Sequence, residues 1–144
     1  MKTFVRIIAI ALIAVFSLTL LTSCGKSMDK IVDKIKDLDE DDYRYQEAME
    51  QIESMIEFLE EEYDFEIDGD VEKAYVITDG EEGAYVIEFE KAADAKAYAE
   101  TVEDELEDIL EDLSGGQLDD RDYVVMRSGK IVAWGHEDII EEIW

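Results

Sequence analysis

The sequence predicts an α+β protein: a two-layer sandwich in which an antiparallel sheet of two β-hairpins carries two long helices on one face. Three observations lead there. Two pairs of short runs rich in Val, Ile, Tyr and Phe are each joined by a polar turn. Two longer stretches repeat apolar residues at helical spacing. Helices and hairpins alternate along the chain, and a one-sided apolar sheet buries its face most simply under the helices.

Taken in order, Met28, Ile31, Val32, Ile35 and Leu38 recur at helical spacing within residues 25–40 and predict a short amphipathic helix. Asp39, Glu40, Asp41 and Asp42 then offer carboxylates to the start of a second helix. That helix is expected from about 42 to 63, with Tyr45, Ala48, Met49, Ile52, Met55, Ile56, Leu59 and Tyr63 on one face. Asp64 to Asp70 reads as a loop. Lys73 to Thr78 and Ala84 to Phe89 read as a hairpin turned by Asp79-Gly80-Glu81-Glu82-Gly83. A long helix is expected from about 92 to 113, with Ala95, Tyr98, Ala99, Val102, Leu106, Ile109, Leu110 and Leu113 inward and Gly115-Gly116 ending it. The last hairpin pairs Tyr123–Met126 with Ile131–Trp134 through Ser128-Gly129. Gly135 is expected to stop its second strand, and His136 to Trp144 forms a terminal helix.

Charge excludes one large class of partners. All 40 acidic residues follow residue 24, against 11 basic ones. A nucleic-acid partner needs a basic surface, so none is expected. The basic residues are not spread evenly. Residues 25–36 hold four lysines against two aspartates, whereas residues 37–144 hold 7 bases against 38 acids, or −31. A hydrophobic content of 47% with clear periodicity separates the chain from a disordered acidic tail.

The first 23 residues contain no acid. Lys2 and Arg6 precede an apolar run from Ile7 to Leu21, a charged segment followed by an apolar core, as in a secretory signal peptide. The run is shorter than the roughly 20 residues that span a bilayer. It ends in Leu21-Thr22-Ser23-Cys24, which resembles the lipobox of bacterial lipoprotein precursors. The resemblance covers residues 1–24. It implies cleavage before Cys24, a diacylglycerol on its thiol, and residence on the extracytoplasmic face of the cell membrane, as part of the cell envelope. Two acyl chains suffice for stable anchoring where one does not. The organisation expected is a signal peptide (1–23), a lipidated cysteine with a stalk (24–40), and an acidic α+β domain (41–144). The basic stalk either lies on an anionic membrane or packs on the domain.

Candidate chemistry is sparse. Cys24 is the only cysteine, and the lipid consumes it. His136 is the only histidine, and it stands at the start of the last helix, where a helix-end role outweighs catalysis. Ser114 and Ser128 sit in turn contexts, and no phosphate-cradling glycine loop or dinucleotide motif is present. Carboxylate pairs are too numerous to single one out. The metal-like stretch is Asp64 to Glu72, where Asp64, Glu66 and Asp68 with Gly69 resemble the opening of an EF-hand loop and Asp70 follows. The resemblance implies calcium as the ion. It breaks at the twelfth position, where Tyr75 replaces the bidentate glutamate, so a polar loop is the other reading. The acidic outer face of the 92–113 helix is either a solvated surface or a docking face for a cationic partner.

The expected function is therefore a membrane-anchored, non-enzymatic lipoprotein domain that binds or assembles with something outside the membrane, such as another envelope protein. No cofactor beyond the lipid is expected. The alternatives are cation binding at Asp64, Glu66, Asp68 and Asp70, and, ranked last, a carboxylate-based enzyme.

Overall fold

A computed structural model of the chain describes residues 26–38, 43–117 and 119–144. The signal segment, Cys24, the acidic cap at 39–42 and the expected stalk–domain boundary at 40–41 lie outside the described residues, as does the side chain of Leu113. Among the described residues, five α-helices and five strands follow one another: α1 (Met28–Leu38), β1 (Arg44–Glu47), α2 (Met49–Glu62), β2 (Val71–Thr78), β3 (Gly83–Phe89), α3 (Ala92–Asp104), α4 (Leu106–Ser114), β4 (Tyr123–Ser128), β5 (Ile131–His136) and α5 (Glu137–Ile143). The strands form one sheet in the order β1-β2-β3-β5-β4, every neighbouring pair antiparallel.

The α+β class and the antiparallel sheet built on two hairpins are as expected. So is the covering of one face by the long helices. Ile52, Ile56 and Leu59 of α2, Ala95, Tyr98 and Val102 of α3, and Ile109 and Leu110 of α4 pack on Ile87, Phe89, Val132 and Trp134 of the sheet. The opposite face is covered as well. Met28, Ile31, Ile35 and Leu38 of α1 join Ile139, Ile140 and Ile143 of α5 over Ile77, Ala84, Val86, Ile131 and Ala133. Of the two placements the sequence leaves open for the 28–38 helix, the structure shows it packed on the sheet. Burial on both faces also explains the unbroken apolar run Ile131-Val132-Ala133-Trp134: in a strand covered on both sides, each successive side chain meets a core.

Four local expectations are corrected. Tyr45 lies in edge strand β1, opposite Ile77, and not in a helix that starts near 42. Its ring packs near Tyr75, at 6.5 Å between centroids, so pairing with β2 overrides the helical spacing of Tyr45, Ala48 and Met49. The expected 92–113 helix is interrupted at Glu105, whose backbone leaves the helical region (φ −110°, ψ 17°). Just before the break, the Thr101 hydroxyl donates to the Ala97 carbonyl at 3.0 Å, a back-bond that bends helices, and the like charges of Glu100, Asp104 and Asp108 oppose a straight rod. The last hairpin turns on Gly129-Lys130, because Ser128 pairs with Ile131. Gly129 supplies the positive φ of 59° that a two-residue turn requires. Finally, Gly135 does not end β5. It sits within the strand opposite Ala84, where an added Cβ would come 2.5 Å from the Gly83 carbonyl oxygen.

Candidate functional site

The acidic loop between α2 and β2 is held in the opposite sense to a calcium loop. Phe65 and Ile67 turn toward the core, while Asp64, Glu66, Asp68 and Asp70 alternate with them as exposed side chains. The loop's backbone amides, not its carboxylates, make the inward contacts. Ile67 N–H donates to Glu60 Oε1 (2.9 Å), Asp68 N–H to Asp94 Oδ1 (3.1 Å), Gly69 N–H to Asp94 Oδ2 (2.9 Å), and Asp70 N–H to Glu90 Oε2 (3.3 Å). Asp94, in the first turn of α3, is 4% exposed, so this pair of amides answers a buried carboxylate that would otherwise be costly. Gly69 leaves room for this approach: an added Cβ would stand 2.9 Å from both Asp94 Oδ2 and Glu90 Oε2, and those carboxylates would have to shift. Asp64 and Glu66 line an open acidic hollow with Glu57, Glu60 and Glu61, which Asp68 and Asp70 do not share. The four residues are thus not gathered around one point.

A different trio is gathered. Among the described residues, Glu82, His136 and Asp138 form the one group of three or more His, Cys, Asp or Glu side chains with donor atoms within 4.8 Å of one another. They come from the β2–β3 turn, the end of β5 and the first turn of α5. The turn is built to hold Glu82. Asp79 Oδ1 accepts from the Glu81 and Glu82 N–H groups at 2.9 and 2.8 Å, and the Thr78 hydroxyl donates to the Glu82 carbonyl at 2.7 Å. Those two amides hold the Asp79 carboxyl below its ordinary range. His136 Nε2 lies 3.2 Å from Glu82 Oε1, and Nδ1 lies 3.9 Å from Asp138 Oδ2. Nδ1 is buried and makes no hydrogen bond within the structure. The Tyr123 ring meets the imidazole edge-on at 5.8 Å, and Tyr43 stands nearby with its phenol pushed up by burial and then by Asp79, Glu82 and Asp138. An imidazole between two carboxylates can relay a proton, or offer one nitrogen and a carboxylate to a divalent ion. The sequence singles out His136, but Glu82 is 54 positions away and carries no local signal.

A third place collects the scarce cations. The Lys26 N–H donates to Ser128 Oγ at 2.9 Å, which pins the entry of the chain to the β4–β5 turn beside Arg127 and Lys130. The Lys26 ammonium contacts the Trp144 carbonyl oxygen and lies 5.6 Å from the centre of the Trp144 ring. Between α1 and the end of α5 runs a groove of about 280 Å³, with Lys26, Lys30 and Lys34 on one wall and Ile143 and Trp144 on the other.

The chain matches no protein-family model, and neither a curated protein nor a solved structure is detectably similar to it.

Proposed function

We propose that this chain is a lipid-anchored domain on the extracytoplasmic face of a bacterial cell membrane, and that it works by binding or assembly and not by catalysis. The observation that carries this reading is the lipobox-like Leu21-Thr22-Ser23-Cys24 at the end of an apolar run. No helix among the described residues is long and apolar enough to cross a membrane. The exposed carboxylates of α2, α3 and α4 face away from the sheet and suit a cationic partner, such as a basic patch on another envelope protein. Cys24→Ser tests the anchor: it abolishes palmitate labelling and releases the chain from the membrane fraction. If the variant stays membrane-bound in detergent partitioning, an uncleaved apolar segment is the anchor instead.

A second reading, cation binding, is favoured by the 3.2 Å separation of His136 Nε2 and Glu82 Oε1, close to the spacing of two ligands on one divalent ion. On this reading the ion is held at Glu82 and His136, with Asp138 as ligand or orienter, and not at Asp64, Glu66, Asp68 and Asp70. Calorimetric titration with zinc and calcium decides it. Saturable heat that disappears in His136→Gln supports this site, and heat that disappears only in Asp68→Asn returns the ion to the loop.

A further inference from the structure

We infer that the lysine-lined groove between α1 and α5, together with the β4–β5 turn, docks flat against an anionic phospholipid surface and so fixes the orientation of the whole domain at the membrane. The inference rests on the lipid-anchor reading. Two residues of chain, at most about 7 Å when fully extended, separate Cys24 from Lys26. A lipid on Cys24 therefore brings Lys26 to headgroup level, and the Lys26–Ser128 hydrogen bond brings the β4–β5 turn with Lys130 there with it.

Charge complementarity selects the occupant. Lys30 and Lys34 are exposed and lie one turn apart on α1, and exposed Lys26, just before the helix, lines the same groove. Lys26, Lys30 and Lys34, with Lys130 of the turn beside Ser128 to which Lys26 is hydrogen-bonded, make up four of the 11 basic residues after the signal segment, in a domain that is acidic overall. An anionic leaflet attracts these lysines, with each cation near the surface favouring association by roughly fivefold. The same leaflet repels the carboxylates elsewhere, so attraction and repulsion turn the molecule the same way. Trp144, half-buried at the groove wall, presents the amphipathic ring that favours the headgroup region. Met126 adds an apolar contact: it is 39% exposed and lies on the same sheet face as Val124, which packs in the α1–α5 cluster. A free phosphate would fit the groove lysines but leave Lys130 and Met126 unused.

The test uses the lipidated protein reconstituted into vesicles of phosphatidylcholine alone or with phosphatidylglycerol. Lysines are labelled with a neutral amine reagent and read by mass spectrometry. Labelling of Lys26, Lys30 and Lys34 is expected to fall several-fold in the anionic vesicles and to recover at high salt, while exposed Lys96 on α3 labels alike in both. In the K30E/K34E variant, Lys26 should regain its reactivity in anionic vesicles, because the tether remains but the attraction is lost. Equal labelling of the three lysines in both vesicle types, or Lys26 protection that survives K30E/K34E, overturns docking while leaving the anchor intact. Loss of labelling with soluble inorganic phosphate in place of phosphatidylglycerol assigns the groove to a free anion and also overturns it. Absence of the diacylglyceryl mass on Cys24 overturns the anchor reading, and this inference with it.

Discussion

Replacing Tyr98 with Phe removes one oxygen from the centre of the larger core and leaves the ring in place. The Tyr98 hydroxyl accepts the indole N–H of Trp134 at 2.9 Å, with both side chains buried. The ring itself packs against Phe89 and Phe65, at 5.3 and 6.4 Å between centroids, and these contacts survive the change. The variant therefore isolates a single interaction: a buried indole donor loses its acceptor, at a cost of about 1–3 kcal/mol. A second signature follows from titration. Burial pushes the Tyr98 phenol far above its ordinary value of 10.0, and the Trp134 hydrogen bond only partly reverses this. The folded state thus holds the proton where the unfolded chain releases it. Stability from the neutral phenol is complete below pH 10 and is lost as pH rises, at about 1.4 kcal/mol per pH unit. Tyr98→Phe has no such proton. Denaturant melts of residues 24–144 carrying Cys24→Ser, with and without Tyr98→Phe, should differ by about 1–3 kcal/mol at neutral pH. The gap should shrink by about 1 kcal/mol between pH ~10 and ~11. Tyr85, Tyr63 and Tyr123, also raised by burial first, titrate in both proteins and cancel in the difference. A gap that stays constant across that range would refute the buried-phenol argument, and a gap near zero at neutral pH would refute the hydrogen bond.

Other consequences can be tested in the same background. Leu110→Ala should cost about 2–5 kcal/mol in denaturant melts and Leu106→Ala about half as much, because Leu110 is 2% exposed and Leu106 only half-buried; equal losses would mean that α4 is rotated. Glu107→Ala, on the exposed side of α4, should be neutral or slightly stabilising as it relieves repulsion among neighbouring carboxylates. Gly135→Ala should lower the melting temperature, at a cost of about 1–3 kcal/mol or more in stability, since φ is +148° and the new methyl collides with the β3 backbone; an unchanged melt would mean that β3 and β5 are not paired there. Sodium chloride raised from low to physiological levels should raise the melting temperature by screening the excess of acids, and a salt-independent melt would show that the carboxylates repel less than their number implies.

Local pattern alone determined much of this protein. A two-residue turn with its glycine, a run of β-branched and aromatic residues, and a 3.6-residue apolar period are each set within a dozen positions. Both hairpins, the terminal helix and the buried faces of α2, α3 and α4 were therefore legible, as was the lipobox-like motif. The crowding of lysines into residues 25–36 was legible as charge, and the docking face begins from it. Tertiary structure decided what each apolar face would meet. Tyr45 fits a helical stripe and a strand equally well, and only the free edge of β2 made it a strand. The 28–38 helix carries the same stripe whether it meets lipid or protein, and the second sheet face, apolar at Ile77, Val86 and Ala133, drew it in. The strand order β1-β2-β3-β5-β4 depends on pairing β3 with β5, across a segment that contains two helices. The Glu82–His136 contact and the meeting of Lys26 with Ser128 and Trp144 join residues far apart in the chain. No local period encodes such contacts. They form because both faces of one sheet must be buried at once, and this requirement carries α1 and α5 to the same face.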